Sequence, residues 1–348
     1  MRRKNLIVRK KVNTKISKVY HQFRQTVFRN LHKKSFAIGV SGGPDSLCLA
    51  YLSKKYALEF KNKIHVLIIN HNLRKDSYKE ALKVKTILRK KNISSKIISW
   101  KGKIPLSNIQ KKARNIRYSL ISDYCAKRKI KYLLVAHHTD DQIENFFIRL
   151  FRGSGLTGLS SMSEDYSYNN KLKIIRPFLN IKKVDLKFIT LKYFKTYIQD
   201  PSNKDEKFLR VKIRKFKKKM ETEGLNTSNI MKTINNLLSA NKAMNYYKNK
   251  AFNKHVSFLS KNKCVINEQI FIDEAQEIIF KSFSDILSLV SGQYYPPRSK
   301  KILNLIKRLQ KNKYKKSTLG GCIVEKKPGF MLIYKETKVK LSSYQPSK

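Results

Sequence analysis

Acidic residues are scarce in this chain: 23 Asp and Glu stand against 77 Lys and Arg, for a net charge of +54, and the first 44 residues contain no acid. Such an excess is self-repelling unless a polyanion relieves it, so nucleic acid is the first partner to consider. A proteome rich in lysine, asparagine and isoleucine is the competing source of the charge. Cysteine is equally sparse. Cys48, Cys125, Cys264 and Cys322 lie far apart with no C-x-x-C pair, which argues against a zinc site, a redox motif or a disulfide framework and suits a reducing cytoplasm. A run of about 18 apolar residues is also missing, so no membrane span is expected. Neither an internal repeat nor a low-complexity tract is evident. Against these absences, 348 residues with 41% hydrophobic content suffice for folded cores.

From Ser35 onward, short apolar runs alternate with helical patterns. Strands are expected at Phe36–Val40, Ile64–Asn70, Ser95–Trp100 and Tyr132–Ala136, with helices at 44–56, 76–91 and 109–127 between them. Continuous rather than alternating apolar runs imply strands covered on both faces, hence a doubly wound parallel sheet that binds ligands at the carboxyl ends of its strands. After about Lys217 the pattern changes to a long polar helix at 229–252, a short strand at 270–273 and a helix at 275–289. A basic helix (300–310) and a hairpin (317–325 with 329–334) follow. The division expected is a basic N-terminal arm over 1–34, a catalytic α/β domain over 35–217, a helical domain over 218–291 and a small C-terminal α+β domain over 292–348. The last two are expected to grip nucleic acid, as is the arm. A transit peptide is the other reading of the first residues, although Ser enrichment and a clear apolar face are missing there.

Ser41-Gly42-Gly43-Pro44-Asp45-Ser46 lies between a buried strand and a helix start. Its amides and the helix N-terminus can converge on one anion, the serine hydroxyls add donors, and the glycines admit close approach. Pro44 suits the first helical turn. Asp45 would repel a bound phosphate unless a divalent cation bridged them, so it is expected to hold Mg²⁺ directly or to hold one of the ion's ligands. Further along, on a helix starting near Thr139, Ile143, Phe146, Phe147, Leu150 and Phe151 form a core-facing stripe. Asp140 and Glu144 border that stripe and Asp141 is turned about a quarter turn away. Acids at a helix start also serve capping, with Thr139 as the cap. Two carboxylates at a strand end are more than capping requires. His137 and His138 point to opposite sides of the strand end, against one shared metal ion. The G-x-G-x-x-G run at 153–158 follows a helix, where a dinucleotide fingerprint must follow a strand.

The loop SGGPDS resembles that of the PP-loop ATP pyrophosphatases, which cleave ATP between the α and β phosphates. Asn70-His71-Asn72-Leu73-Arg74 resembles the D/N-H-G-L-R segment of the tRNA(Ile)-lysidine synthetases in that superfamily, with Asn72 in place of the usual Gly. Ala113 to Tyr118 resembles their A-R-x-x-R-Y. The block from Ala136 to Leu159, AHHTDDQIE running into RLFRGSGLTGL, resembles theirs nearly position for position. Asp200-Pro201-Ser202-Asn203 with Arg210 and Arg214 resembles D-P-S-N…R-N-x-x-R, Val211 standing where Asn is usual; Leu319 to Cys322 resembles a C-terminal Gly-Gly turn.

The resemblance implies an ATP- and Mg²⁺-dependent ligation of L-lysine to C2 of the wobble cytidine of tRNA(Ile) with a CAU anticodon, through an adenylated cytidine. It implies that Ser41, Gly42, Gly43, Pro44, Asp45, Ser46, His71 and Arg74 contact the nucleotide. Asp45, Arg114, Asp140, Asp141 and Glu144 would be catalytic, with Arg114 neutralising phosphate or carboxylate. The rivals are a tRNA 2-thiolation enzyme on the same fold, which would carry sulfur on cysteine pairs absent here, and a non-catalytic basic RNA-binding protein. The oligomeric state stays open, a homodimer among the options.

Overall fold

The computed structural model describes residues 2–73, 76–102, 109–168, 172–199, 209–293, 296–311 and 315–336. The chain forms two compact units, residues 1–238 and 239–348.

The first unit opens with α1 (Arg2–Leu31), followed by β1 (Phe36–Gly39), α2 (Pro44–Phe60), β2 (Ile64–Asn70), α3 (Ser77–Arg89), β3 (Ser95–Ser99), α4 (Ile109–Lys127), β4 (Tyr132–Leu134), α5 (Thr139–Leu150) and α6 (Leu156–Leu159). Then come β5 (Asp165–Tyr168), β6 (Leu172–Ile175), α7 (Lys183–Phe194), α8 (Leu209–Thr222) and the start of α9 (Thr227–His255). The six strands lie in the order β3-β2-β1-β4-β6-β5, all parallel except β5 against β6. Between β1 and β4 the strand order changes direction, which is where such sheets open a crevice at their carboxyl ends.

The expected strands and helices of this sheet are all present. The pair β5–β6 was not foreseen. The first 34 residues differ more. Val19, Phe23, Val27 and Leu31, spaced four apart along α1, are buried in the main core with Phe36, Tyr56 and Phe178. Burying such side chains stabilises by about 1.5–3 kcal/mol each, so this half of α1 is part of the first unit rather than an arm ahead of it. Ion pairs from Lys15 to Asp185, Arg24 to Glu59 and Arg29 to Glu164 fasten it further.

The second unit begins within α9 and continues through β7 (Val256–Ser260), β8 (Lys263–Asn267), α10 (Ile270–Asp273), α11 (Gln276–Ser291), α12 (Ser299–Gln310), β9 (Lys316–Leu319), β10 (Cys322–Lys327) and β11 (Phe330–Lys335). Its antiparallel sheet runs β7-β8-β11-β10-β9. Two expectations change here. Residues 270–273 form a helical turn instead of a strand, and β8 pairs along β11 while α11 and α12 share one core with both. A boundary at 291/292 would cut that core. All four cysteines are buried, Cys48 and Cys125 in the first unit, Cys264 and Cys322 in the second. Among the described residues, no helix is long and apolar enough to cross a membrane.

Candidate active site

A cleft of about 620 Å³ opens at the carboxyl ends of β1, β2 and β4. Its floor is the loop between β1 and α2. Gly42 has φ +86°, and a Cβ there would stand 2.6 Å from Val84 Cγ2; only glycine fits. Gly43 is the extended N-cap of α2 and Pro44 occupies its first turn. Ser46 Oγ donates to the Gly43 carbonyl (3.0 Å) and accepts from the Ser41 amide (3.2 Å). The loop is also held from outside: the Ile198 amide donates to the Gly42 carbonyl (2.9 Å) and the Thr190 hydroxyl to that of Pro44 (2.6 Å).

At the end of β4, His138 caps α5. The Asp141 amide donates to its Nδ1 while the His138 amide donates to the Asp141 carboxylate. The cap is thus His138 rather than Thr139, the residue a capping role for the acids would imply. The reciprocal pairing turns Asp141 back over the helix start and into the cleft, whereas an ideal helix would aim it a quarter turn aside. His138 Nε2 lies 3.4 Å from Asp45 Oδ2 and 3.5 Å from Asp141 Oδ2, contacts that require the Nε2–H tautomer in the neutral ring. Burial opposes charging this imidazole, but the hydrogen bond to Asp45 and the charges of Asp141 and Asp45 prevail and raise its pKa above the ordinary value. Asp141 shows the reverse balance: burial raises its pKa, yet the charges of His138 and His137 hold it below the carboxylate range.

Asp45 Oδ1 is buried and has no hydrogen-bond partner. An orphaned anionic oxygen at the mouth of an anion-holding loop fits a divalent cation, since Mg²⁺ is commonly bound by one or two carboxylates and completed by phosphates and water. Among the described residues no group of three His, Cys, Asp or Glu side chains could hold a metal ion by itself.

The structure thus brings Ser41, Gly43, Pro44, Asp45, Ser46, His71, Arg114 and Asp141 to one cleft, with Gly42 as the turn beneath them. Arg74 and the segment 200–203 lie outside the described residues. Asp140 and Glu144 are near but engaged elsewhere. Asp140 pairs with Lys217 (2.6 Å), and Glu144, only 2% exposed, takes Nε and Nη2 of Arg214 at 2.5 and 3.3 Å.

At the end of β2, Arg117 reaches His71 Nε2 at 3.4 Å. Burial, assisted by the Arg117 charge, pushes the His71 pKa down to about 4. Asn72 has φ +51°, a left-handed position that Asn tolerates better than any residue but Gly; its side chain also donates to the Trp100 carbonyl (2.7 Å). The departure from the usual Gly is therefore accommodated. Val211 is buried on α8. Sequence reasoning missed Arg117, His137, His138, Lys183, Lys187 and Arg214 as cleft residues. For Arg214 the R-x-x-x-R spacing was a usable signal; for the lysines, none stands out from so basic a chain.

A phosphate-gripping loop at the switch point of a parallel sheet defines a nucleotide-binding protein of the PP-loop class, and the sequence model of the PP-loop domain matches residues 9–219. The chain is 36% identical over 313 residues to a tRNA(Ile)-lysidine synthase of Orientia tsutsugamushi (strain Boryong), covering 86% of this chain and 69% of that protein. It is 34% identical over 310 residues to one of Wolbachia pipientis wMel, covering 88% and 72%. The chain belongs to the tRNA(Ile)-lysidine synthase family. Among solved structures, a U34-tRNA thiolase from Methanococcus maripaludis superposes with a TM-score of 0.54 at 20% identity, over 66% of this chain and 80% of that one, a likeness of fold.

Proposed function

We propose that the chain ligates L-lysine to C2 of the wobble cytidine of tRNA(Ile) bearing a CAU anticodon, using ATP and releasing AMP and pyrophosphate. The observation that carries this reading is the convergence of the 41–46 loop, Arg114 and the His138-centred carboxylates in one cleft of a chain of this family. The cytidine O2 attacks the α-phosphorus and pyrophosphate leaves into the loop, where amides, Ser41 and Ser46 receive it. Arg114 and Lys183, both on the cleft wall, offset its charge. Asp45 would hold Mg²⁺, which when bound supplies further neutralisation of the phosphates. The lysine ε-amine, having released its ammonium proton to solvent water, then attacks C2, the C2–O2 bond breaks and AMP departs with the former O2.

Free lysine titrates near a pKa of about 10.4 and arrives as an ammonium. We assign its capture to Asp141, whose depressed pKa suits it to hold a cation rather than take a proton. Asp140 and Glu144 contribute through the cations they hold, Lys217 and Arg214, which fix α8 against α5. The buried cysteines offer no accessible thiol to carry sulfur, in line with ligation rather than thiolation.

The test is incubation with a tRNA(Ile)-CAU transcript, ATP and labelled lysine. Label should enter the RNA only with ATP present and should vanish with Asp45→Ala. Absence of label with any tRNA would sink the reading.

A further inference from the structure

Two large aromatic rings are exposed to solvent where α5 and α8 meet. Phe151, at the end of α5 and expected from the sequence to face the core, is instead 61% exposed, and Phe216, on α8, is 37% exposed. Their centroids are 5.7 Å apart in an edge-to-face arrangement, and Phe147 touches both, at 6.1 and 5.6 Å. Contiguous exposed aromatics are uncommon on a soluble surface and mark an interaction site more often than isolated ones do. The surroundings select the partner. Seven of the 14 residues of α8 are Lys or Arg against one Glu. Lys212 and Lys219, four before and three after Phe216, share its side of the helix, and both are exposed, as is Arg152 next to Phe151. Rings rimmed by cations suit a partner that is aromatic and anionic together, a combination that unpaired RNA supplies at every nucleotide. The position fits as well. Phe151 is seven residues, two turns and about 10 Å, beyond Glu144 on the same side of α5, and Glu144 holds Arg214, a residue of the cleft wall.

We propose that Phe151 and Phe216 form a stacking platform for an unpaired base of the anticodon loop that adjoins the cytidine being modified. This assignment rests on the tRNA reading above. The platform holds the loop while the target base enters the cleft, so it acts on RNA positioning and leaves ATP handling untouched.

The test uses the full chain and an anticodon stem-loop RNA with 2-aminopurine at one or the other nucleotide flanking the target cytidine. Wild type should change the 2-aminopurine emission at one flanking position. Phe151→Leu, which keeps apolar bulk but lacks a π-face, should abolish that change and raise the KM for RNA on the order of tenfold, with kcat and ATP binding little altered. Phe151→Trp should retain both, and Phe216→Leu should act in the same direction as Phe151→Leu. Wild-type emission change and KM in Phe151→Leu would overturn the platform. So would a concentration-dependent dimer in sedimentation that Phe151→Leu dissociates, because the rings would then face a second copy. If wild type neither binds nor modifies the RNA, the ligase reading itself falls; if it modifies RNA and the leucine variants do so equally well, only the platform does.

Discussion

Glu144 and Arg214 are 70 positions apart in sequence, yet their side chains meet in a two-point ion pair that ties α5 to α8. Removing Arg214 strands the Glu144 carboxylate, which is only 2% exposed. Arg214→Ala should therefore lose about 3 kcal/mol in urea titration, and the double replacement Glu144→Met with Arg214→Met should regain most of it. His71 gives a pH signature. Its pKa falls from 6.5 to about 4 on folding, so between those values the unfolded chain binds the extra proton and stability falls with falling pH. His138 runs the other way, because its raised pKa contributes stability that is full below pH 6.5 and fades as pH climbs through the folded value. Relative to wild type, His71→Gln should show a weaker loss of stability on going from pH 6.5 to pH 4, read by denaturant midpoints at each pH. Neither partnership was visible in sequence. A motif names Glu144, but only the fold reveals that its charge is already spent on Arg214.

At the scale of elements, the loop between β1 and α2 depends on Gly42. Gly42→Ala combines a left-handed strain of about 1–2 kcal/mol with a clash against Val84, whose branched side chain has little rotamer freedom on a helix. Calorimetry with a non-hydrolysable ATP analogue should show at least tenfold weaker binding, and adding Val84→Ala should recover only Val84's share of the clash, because Ile198 Cδ1 also stands 3.2 Å from the added Cβ. The four leading strands, their helices and this loop were legible because a buried parallel sheet writes itself as uninterrupted apolar runs with glycine at the turns. The failures have a common physical cause. β5 (DYSY) is mostly exposed and β7 follows α9 without a break, so their strand character comes from partners distant in sequence rather than from local pattern. Residues 270–273, IFID, looked like a strand because four apolar-rich residues carry no period that separates strand from helix. The role of α1 was hidden by its charge: its lysines and arginines masked a four-residue spacing of Val19, Phe23, Val27 and Leu31.

At the scale of the whole molecule, the basic excess predicts that RNA affinity falls steeply with salt, with a log–log slope that counts the phosphates engaged. A flat response would mean that the charge serves something other than RNA. Within the candidate site, the sequence named the loop, His71, Arg114 and, through the family resemblance alone, Asp141, whereas helix geometry put Asp140 and Glu144 at the crevice and could not show the cations that engage them.

The four buried cysteines carry one last consequence. Burial pushes the Cys125 and Cys264 thiols up to about 12, and raises Cys48, with Asp45 adding to it, and Cys322 as well. Nucleophilic thiolate is thus withheld twice, by access and by protonation. The native chain should resist alkylating reagents, and each pair should become reactive only when its own unit opens. Pulsed alkylation read by mass spectrometry would then time the opening of residues 1–238 through Cys48 and Cys125, and of 239–348 through Cys264 and Cys322, using reporters the sequence already contains.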